Sequence, residues 1–370
     1  MHYAPHHLLV PSRFAESLLA CLSIAALGCG GEKPPAPSAA TAVAAAPDDL
    51  CRRIDAVLRH TRDERLLDAG VHGAWQVVHG ILAFGPDFRI AVKGGTTAAL
   101  GYLLEGGSLV GWKLRPGSPG VIAIVEEGST MGQGHPDQWL GYLSQCGVGA
   151  GGDRLAGGIP LDAPLVVGGR TFTVADLLAQ AQHDIRAGQE ATWTLMALSA
   201  WLPPAASWTA GDGESWTTER VVQMEAAADI TSAACGGAHR LYGLAAAVDA
   251  HRRATGGPPT GGWAEAARVV DASLDRARRF QQPDGSFAVR PFERPGTSPD
   301  VFDRLSATGH VFEVLALALD DERLAEPWVG RAAERLVSLM EQTADLDVEC
   351  GGLYHAAHGL ALYRHRICAP

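Results

Sequence analysis

The chain has little positive charge, few cysteines and, beyond its first residues, no long apolar run. Lys and Arg number 30 against 41 Asp and Glu, a formal charge of −11. A phosphate-backbone binder carries a basic excess, so nucleic acid is excluded as a partner. Seven cysteines include no Cys-x-x-Cys pair, which excludes a dense disulfide framework and leaves room for one or two bridges in an oxidising compartment. After residue 29 no stretch free of charge and turn residues reaches the ~20 residues of a membrane-spanning helix.

What is present begins with an address. Arg13 precedes the apolar run of residues 17–28, SLLACLSIAALG, which has the length of a signal-peptide core. It ends in Ala-Leu-Gly-Cys and resembles a bacterial lipoprotein signal. That resemblance implies lipid on Cys29 and an extracytoplasmic, membrane-anchored protein; ordinary cleaved secretion is the alternative. Residues 1–29 are therefore read as the signal and 30–48, rich in Pro and Ala, as a tether with no core to bury. Residues 49–370 form the folded domain.

Two kinds of helix alternate in that domain. In WAEAARVVDASLDRARRFQQ, the residues Trp263, Ala267, Val270, Leu274 and Ala277 make one apolar stripe at helical spacing. PWVGRAAERLVSLMEQ, with Pro327 at its first position, behaves likewise. So do residues 49–67 and 173–187, the latter opening with Thr173 and Asp176 at capping-box spacing. Six other stretches are apolar nearly all round: 72–84, 135–145, 190–202, 237–250, 309–319 and 353–364. A helix apolar on every face is buried on every face. Six buried helices inside a shell of half-exposed ones describe an all-α fold, an α/α toroid. Short β insertions are expected at SLVGWKLRPGSPGVIAIV and at LVVGGRTFTV, around Gly168-Gly169. The segment 201–219 reads as a long loop with Trp201, Trp208 and Trp216.

Within RRFQQPDGSF, the residues Gln281, Asp284, Gly285, Ser286 and Phe287 resemble the QW-type repeat of the terpenoid cyclase and protein prenyltransferase toroids. LYHAAHGLALY, with Tyr354 and His355, is similar to the segment that supplies the zinc histidine in prenyltransferase β subunits. The resemblance implies the toroid. It does not carry the activities across, because function lives in sites rather than folds. The Asp-x-Asp-Asp acid motif of the cyclases is missing, DLDVE at 345–349 being the nearest text, and aromatics are only 6%. The Asp-x-Cys pair of a prenyltransferase zinc site is missing too. Neither Cys-Gly-Gly site has the glutamine that a thioester domain needs. An isoprenoid cyclase or transferase is thus the least favoured reading.

Cys235-Gly236-Gly237 and Cys350-Gly351-Gly352 each precede a buried stretch, as do Gly134-His135-Pro136, Gly188-Gln189-Glu190 and Thr308-Gly309-His310. Parallel inner helices gather such starts at one end, where glycine permits close backbone approach and helix N-termini add a partial positive field. His135, Asp137, Glu190, His239, His310, Tyr354, His355 and His358 are the expected pocket residues. His facing Glu across a pocket is a means of general acid–base work. Cys235, His239, Cys350 and His355 offer zinc-compatible donors, although helices four and six are not neighbours in a six-fold ring. The same separation counts against a Cys235–Cys350 disulfide. No catalytic pair is named by the sequence. The expected function is binding of a peptide, glycan or lipid at the inner-helix mouth; a cell-envelope hydrolase or lyase is the alternative.

Overall fold

A computed structural model describes residues 47–125, 134–146 and 158–368. All of them belong to one compact unit, Ala44–Pro370. The expected signal, Cys29 and nearly all of the tether lie outside the described residues. The chain opens with α1 (Pro47–Asp63) and α2 (Ala74–Phe84), then the hairpin β1 (Arg89–Val92) and β2 (Gly95–Ala98), and α3 (Ala99–Leu104). A second hairpin, β3 (Trp112–Pro116) and β4 (Val121–Val125), precedes α4 (Gln138–Leu143). A third, β5 (Pro164–Val167) and β6 (Arg170–Thr173), leads into α5 (Val174–Asp184) and α6 (Thr192–Trp201). The fourth, β7 (Ser207–Thr209) and β8 (Ser215–Thr217), leads into α7 (Thr218–Ala227). A short 3-10 turn over Ala234–Gly237 opens a run of helices: α8 (Ala238–Thr255), α9 (Gly261–Arg279), α10 (Val301–Ala318), α11 (Asp321–Leu324), α12 (Pro327–Gln342) and α13 (Cys350–Ile367).

The molecule is thus mainly helical, with four two-stranded antiparallel sheets among the described residues. None of its helices there is long and apolar enough to cross a membrane. The six all-round apolar stretches are α2, α4, α6, α8, α10 and α13. Their contacts run in a cycle: α2 packs on α4, α4 on α6, α6 on α8, α8 on α10, α10 on α13, and α13 back on α2. The amphipathic helices lie against this cycle. α9 packs on α7 and α8, α12 on α10 and α1, and α1 on α13. Burial follows the sequence pattern. Every residue of α13 from Cys350 to Leu360 is buried, whereas α9 alternates buried and exposed positions.

Small residues bring α10 and α13 unusually close. A Cβ built on Gly309 would lie 2.9 Å from Ala356 Cβ, and one on Gly359 would lie 2.9 Å from the Glu313 backbone nitrogen. Larger residues at either position would force the two helices apart. Glu313 is thereby set against the face of α13 that carries His355 and His358.

Two inner helices start earlier than the apolar pattern predicts. α10 begins at Val301 because the Asp300 carboxylate accepts from Phe302 N, and α13 begins at Cys350 because Glu349 caps it. Each cap supplies an acceptor to otherwise unpaired amide groups. Thr308-Gly309-His310 therefore lies inside α10 and Cys350-Gly351-Gly352 inside α13, rather than before them. The capping box at Thr173 and Asp176 is present, with Thr173 N donating to Asp176 Oδ2 at 2.7 Å. The Gln281–Phe287 turn fastens the end of α9 to α12: Gln281 Nε2 donates to the Trp328 carbonyl at 2.9 Å, and Arg335 pairs with Asp284 at 3.1 Å.

The segment 201–219 is a hairpin rather than a loop. Trp208 pairs across from Trp216, which is buried under the Arg220 guanidinium at 4.0 Å. Trp208 donates to the Gln182 carbonyl and packs the hairpin down, while Trp201, the last residue of α6, donates to the Ile159 carbonyl. The bridge in the structure is Cys51–Cys368, with Cα atoms 5.8 Å apart, joining α1 to the end of α13. Cys235 and Cys350 are free.

A candidate metal centre where the inner helices begin

The N-terminal parts of α2, α4, α10 and α13, with the turn before α8, line a cavity of about 520 Å³. Its working wall begins at the turn before α8. Cys235 has φ 51° and ψ 41°, and Gly236 and Gly237 are left-handed as well. A non-glycine residue in that region is held there by its surroundings. Position 237 requires glycine: a Cβ there would lie 2.4 Å from the Ile230 carbonyl oxygen. The turn leaves Cys235 on the exposed rim and starts α8 so that His239, one residue inside the helix, is buried. Behind it Glu225 fastens three helices, accepting from Ala191 N at 2.9 Å, Thr192 Oγ1 at 2.6 Å and Arg240 Nε at 3.0 Å. Such a buried pair is costly to break on one side.

Three imidazoles from three helices meet beside Cys235. Ring centroids are 5.2 Å apart for His239 and His310, 4.9 Å for His239 and His355, and 4.3 Å for His310 and His355. Ligand atoms of Cys235, His239 and His310 all lie within 4.8 Å of one another. Three donors at that spacing leave a point within about 2.8 Å of each, close to zinc's bond lengths of about 2.0–2.3 Å. The group can hold a metal ion. His355 stands next to it, its Nε2 3.2 Å from His239 Nε2. His355 Nδ1 donates to Glu313 Oε2 at 2.8 Å, and His358 Nδ1 donates to Glu313 Oε1 at 2.6 Å. His310 Nδ1 donates to the Ser306 carbonyl at 2.8 Å. A metal-binding histidine commonly gives its other nitrogen to a carboxylate or carbonyl in this way.

The charges suit such a role. Cys235 is exposed as a residue, but its sulfur is shielded among the imidazoles; that shielding raises the thiol, while His310 and His239 outweigh it and bring it down to about 3. Burial lowers His310, but the Cys235 thiolate outweighs it and lifts it to about 9. Without a metal the pair is thiolate and imidazolium. Burial holds His355 down at about 4, against the pull of Glu313. Burial alone would raise Glu313, yet His355 and His358 hold its carboxyl well below the usual range.

The other expected pocket residues fall in four places. His135 donates from Nδ1 to Glu190 Oε2 at 2.8 Å, both half-buried, and this bond raises the histidine and lowers the carboxyl. The pair adjoins the cluster through Trp193, whose ring lies 6.3 Å from His135 and 4.9 Å from His239. Asp137 accepts from Thr194 Oγ1 at 2.5 Å, in a left-handed conformation just before α4; burial raises its carboxyl. Tyr354 turns away from the cavity, packed against Phe84 and Phe88 at 6.1 and 5.9 Å. His358 lies behind His355 on Glu313.

The expected metal set is altered in two members: Cys350 and His355 stand outside the donor group, and His310 enters it. Cys350 is buried, its sulfur 3.6 Å from Gln76 Nε2, and it stands outside the donor group. His310 takes that place, because α10 lies between α8 and α13 and presents it directly. The separation of helices four and six does not keep them apart either, since His239 and His355 reach each other. His79 and Tyr142 escaped the sequence reading. His79 Nδ1 donates to the Trp75 carbonyl at 2.5 Å, and its Nε2 accepts from the Tyr142 hydroxyl at 2.7 Å. Their chain positions, mid-helix in α2 and α4, carried no local signal. No family model, curated protein or solved structure matches this chain.

Proposed function

We propose that this chain is a lipid-anchored, extracytoplasmic zinc hydrolase on an α/α toroid, acting on an ester or amide bond in a cell-envelope peptide, glycan or lipid. The observation that carries the reading is the convergence of Cys235, His239 and His310 donors within 4.8 Å on the wall of an open cavity. Three protein ligands with a position left for water are the arrangement of catalytic zinc sites. Bound zinc would lower the pKa of that water to about 7 and polarise a carbonyl. Cys235 supplies a thiolate, His310 yields its proton on binding, and the cavity admits the substrate. His135, held by Glu190 and near enough to Cys235 to feel its charge, is our candidate for the proton donor to the leaving group. The cycle of inner-helix contacts supports the toroid. The Cys51–Cys368 bridge supports an oxidising compartment, in keeping with lipid on Cys29.

Purified protein is expected to carry stoichiometric zinc by elemental analysis and to hydrolyse p-nitrophenyl acetate. A chelator should abolish that hydrolysis, as should Cys235→Ser. A wild-type protein that binds zinc at no stoichiometric site overturns the reading. Zinc retained with no turnover of any ester or amide probe would favour ligand binding over hydrolysis.

A further inference from the structure

We infer that the substrate carries an ammonium group, which Asp347 binds at the rim of the metal cavity. The inference rests on the reading above, in which a carbonyl meets the metal in this cavity. It narrows the substrate to an ester or amide with an amino group, as in an aminoacyl ester or a peptide N-terminus. The charges of the lining carry it. Among the described residues that line the cavity there is no lysine or arginine, and the acidic ones are Asp347 and Glu349. Glu349 accepts from Gly351 N and Gly352 N, both at 2.7 Å, so the start of α13 answers its charge. Asp347 is exposed and has no hydrogen bond or ion pair among the described residues. Arg65, the cation behind this segment, donates instead to the carbonyls of Thr343, Ala344 and Leu346. A bare carboxylate at the mouth of a cavity without cationic side chains attracts a cation and repels an anion.

Two more lining residues set how such a molecule lies. Gln138 is only 3% exposed. His135 N donates to its Oε1 at 3.3 Å. A backbone amide only donates, so that end of the side chain is the oxygen and the other is the NH2 group. The nitrogen has one partner among the described residues, the Tyr142 hydroxyl at 3.4 Å, which leaves one of its two hydrogens unclaimed. A buried donor without an acceptor calls for one, and the oxygen of a reacting carbonyl supplies it. Trp75 lines the cavity beside the start of α13. A Cβ on Gly351 would lie 2.6 Å from the Trp75 ring and 2.8 Å from Glu349 Oε1, so an aromatic ring and a carboxylate meet at that glycine. Ring faces attract cations as well. The carbonyl end thus enters toward Gln138, and the amine stays at the rim with Asp347 and Trp75.

Chemical-shift titration of the protein with three amides, zinc being present, tests this at about pH 6, where the amine is protonated. The probes are propionamide, L-alaninamide, which adds an ammonium group, and succinamate, which adds a carboxylate. L-Alaninamide is expected to bind about fivefold more tightly than propionamide, the upper end for an exposed ion pair, and succinamate more weakly than either. Asp347→Asn should remove the advantage of L-alaninamide. It should leave propionamide affinity, zinc content and melting temperature as they were, because the Asp347 side chain holds nothing in the fold. Equal binding of propionamide and L-alaninamide overturns the inference. So does a preference that survives Asp347→Asn, tighter binding of succinamate, or binding of none of the three. The preference retained in a protein that hydrolyses no ester or amide overturns the hydrolase reading and leaves the ammonium site standing. Turnover without the preference does the reverse.

Discussion

The two Cys-Gly-Gly stretches are identical as tripeptides and opposite as structures. Cys350-Gly351-Gly352 is the first turn of a helix, and its thiol is buried and pushed up to about 11 by that burial. Cys235-Gly236-Gly237 is a run of left-handed residues, and its thiol meets two imidazoles that bring it down to about 3. The residue before each decides the outcome. Glu349 accepts from Gly351 N and Gly352 N, both at 2.7 Å, and pulls the tripeptide into α13. Ala234 has no acceptor to offer, so the chain turns left-handed where glycine permits. One capping carboxylate thus separates a packed cysteine from a reactive one.

The largest expected effect is on metal binding. Cys235→Ser removes a thiolate donor and should weaken zinc binding by more than about 100-fold, beyond the loss for an outer partner. Cys350→Ser should leave it unchanged. Competition with a chelating dye measures both. Equal losses in the two variants would break the contrast and return Cys350 to the donor set.

The second effect is on stability. Alanine at position 237 must adopt φ near 100° with its Cβ 2.4 Å from a backbone oxygen. Gly237→Ala should cost roughly 1–3 kcal/mol by urea denaturation. Gly351→Ala also meets a neighbour, the Trp75 ring edge at 2.6 Å. That side chain can turn, and alanine favours a helix by about 1 kcal/mol over glycine, so a smaller change is expected. A larger loss at 351 would mean that Trp75 is fixed.

The sequence discloses the six buried helices because a helix without a wet face needs no partner to be recognised. It also brings His239, His310 and His355 together by their shared position near the starts of the apolar runs, although His310 lies well inside α10. It misplaces the starts of α10 and α13, since the caps at Asp300 and Glu349 lie outside the apolar runs used to find them. The link from Glu313 to His355 and His358 is not legible. It depends on how closely α10 and α13 pack, which Gly309 and Gly359 decide only once the pair is known. The Cys51–Cys368 pairing is equally hidden: spacing alone does not choose among the five cysteines that follow Cys29. Sequence position likewise offers Cys350 and His355 as donors and puts His310 in the pocket without making it a ligand, whereas the structure groups His310 with Cys235 and His239.

Thiol reactivity separates the cysteines by pH. In metal-free protein Cys235 is thiolate at every pH well above 3, so its alkylation by iodoacetamide should be nearly flat from pH 5 to 8. Above about pH 9 His310 loses its proton, and the thiolate loses its counter-charge. Cys350 should gain about tenfold per pH unit up to about 11. A low-pKa thiolate is the weaker nucleophile once formed, so the advantage of Cys235 at pH 6 is set at about tenfold or more. A steep rise for Cys235 between pH 7 and 9, read by peptide mass spectrometry, would mean an ordinary thiol with no imidazolium beside it.

The smallest effect goes to the cause of the contrast. Glu349→Ala removes both cap bonds from the first turn of α13 and should cost about 1 kcal/mol, the usual value for a lost N-cap. The melt alone does not separate this cap from any other. The informative change is at Cys350. Released from Glu349, the glycines can leave the helix, and the thiol should gain exposure. Its alkylation at pH 8 should then rise relative to wild type, while Cys235 alkylation and zinc affinity stay as they were, because α8 and α10 are untouched. If Cys350 remains as protected as before, burial by Gln76 and the surrounding helices holds the turn without the cap. The difference between the two tripeptides would then lie in tertiary packing and not in the residue that precedes them.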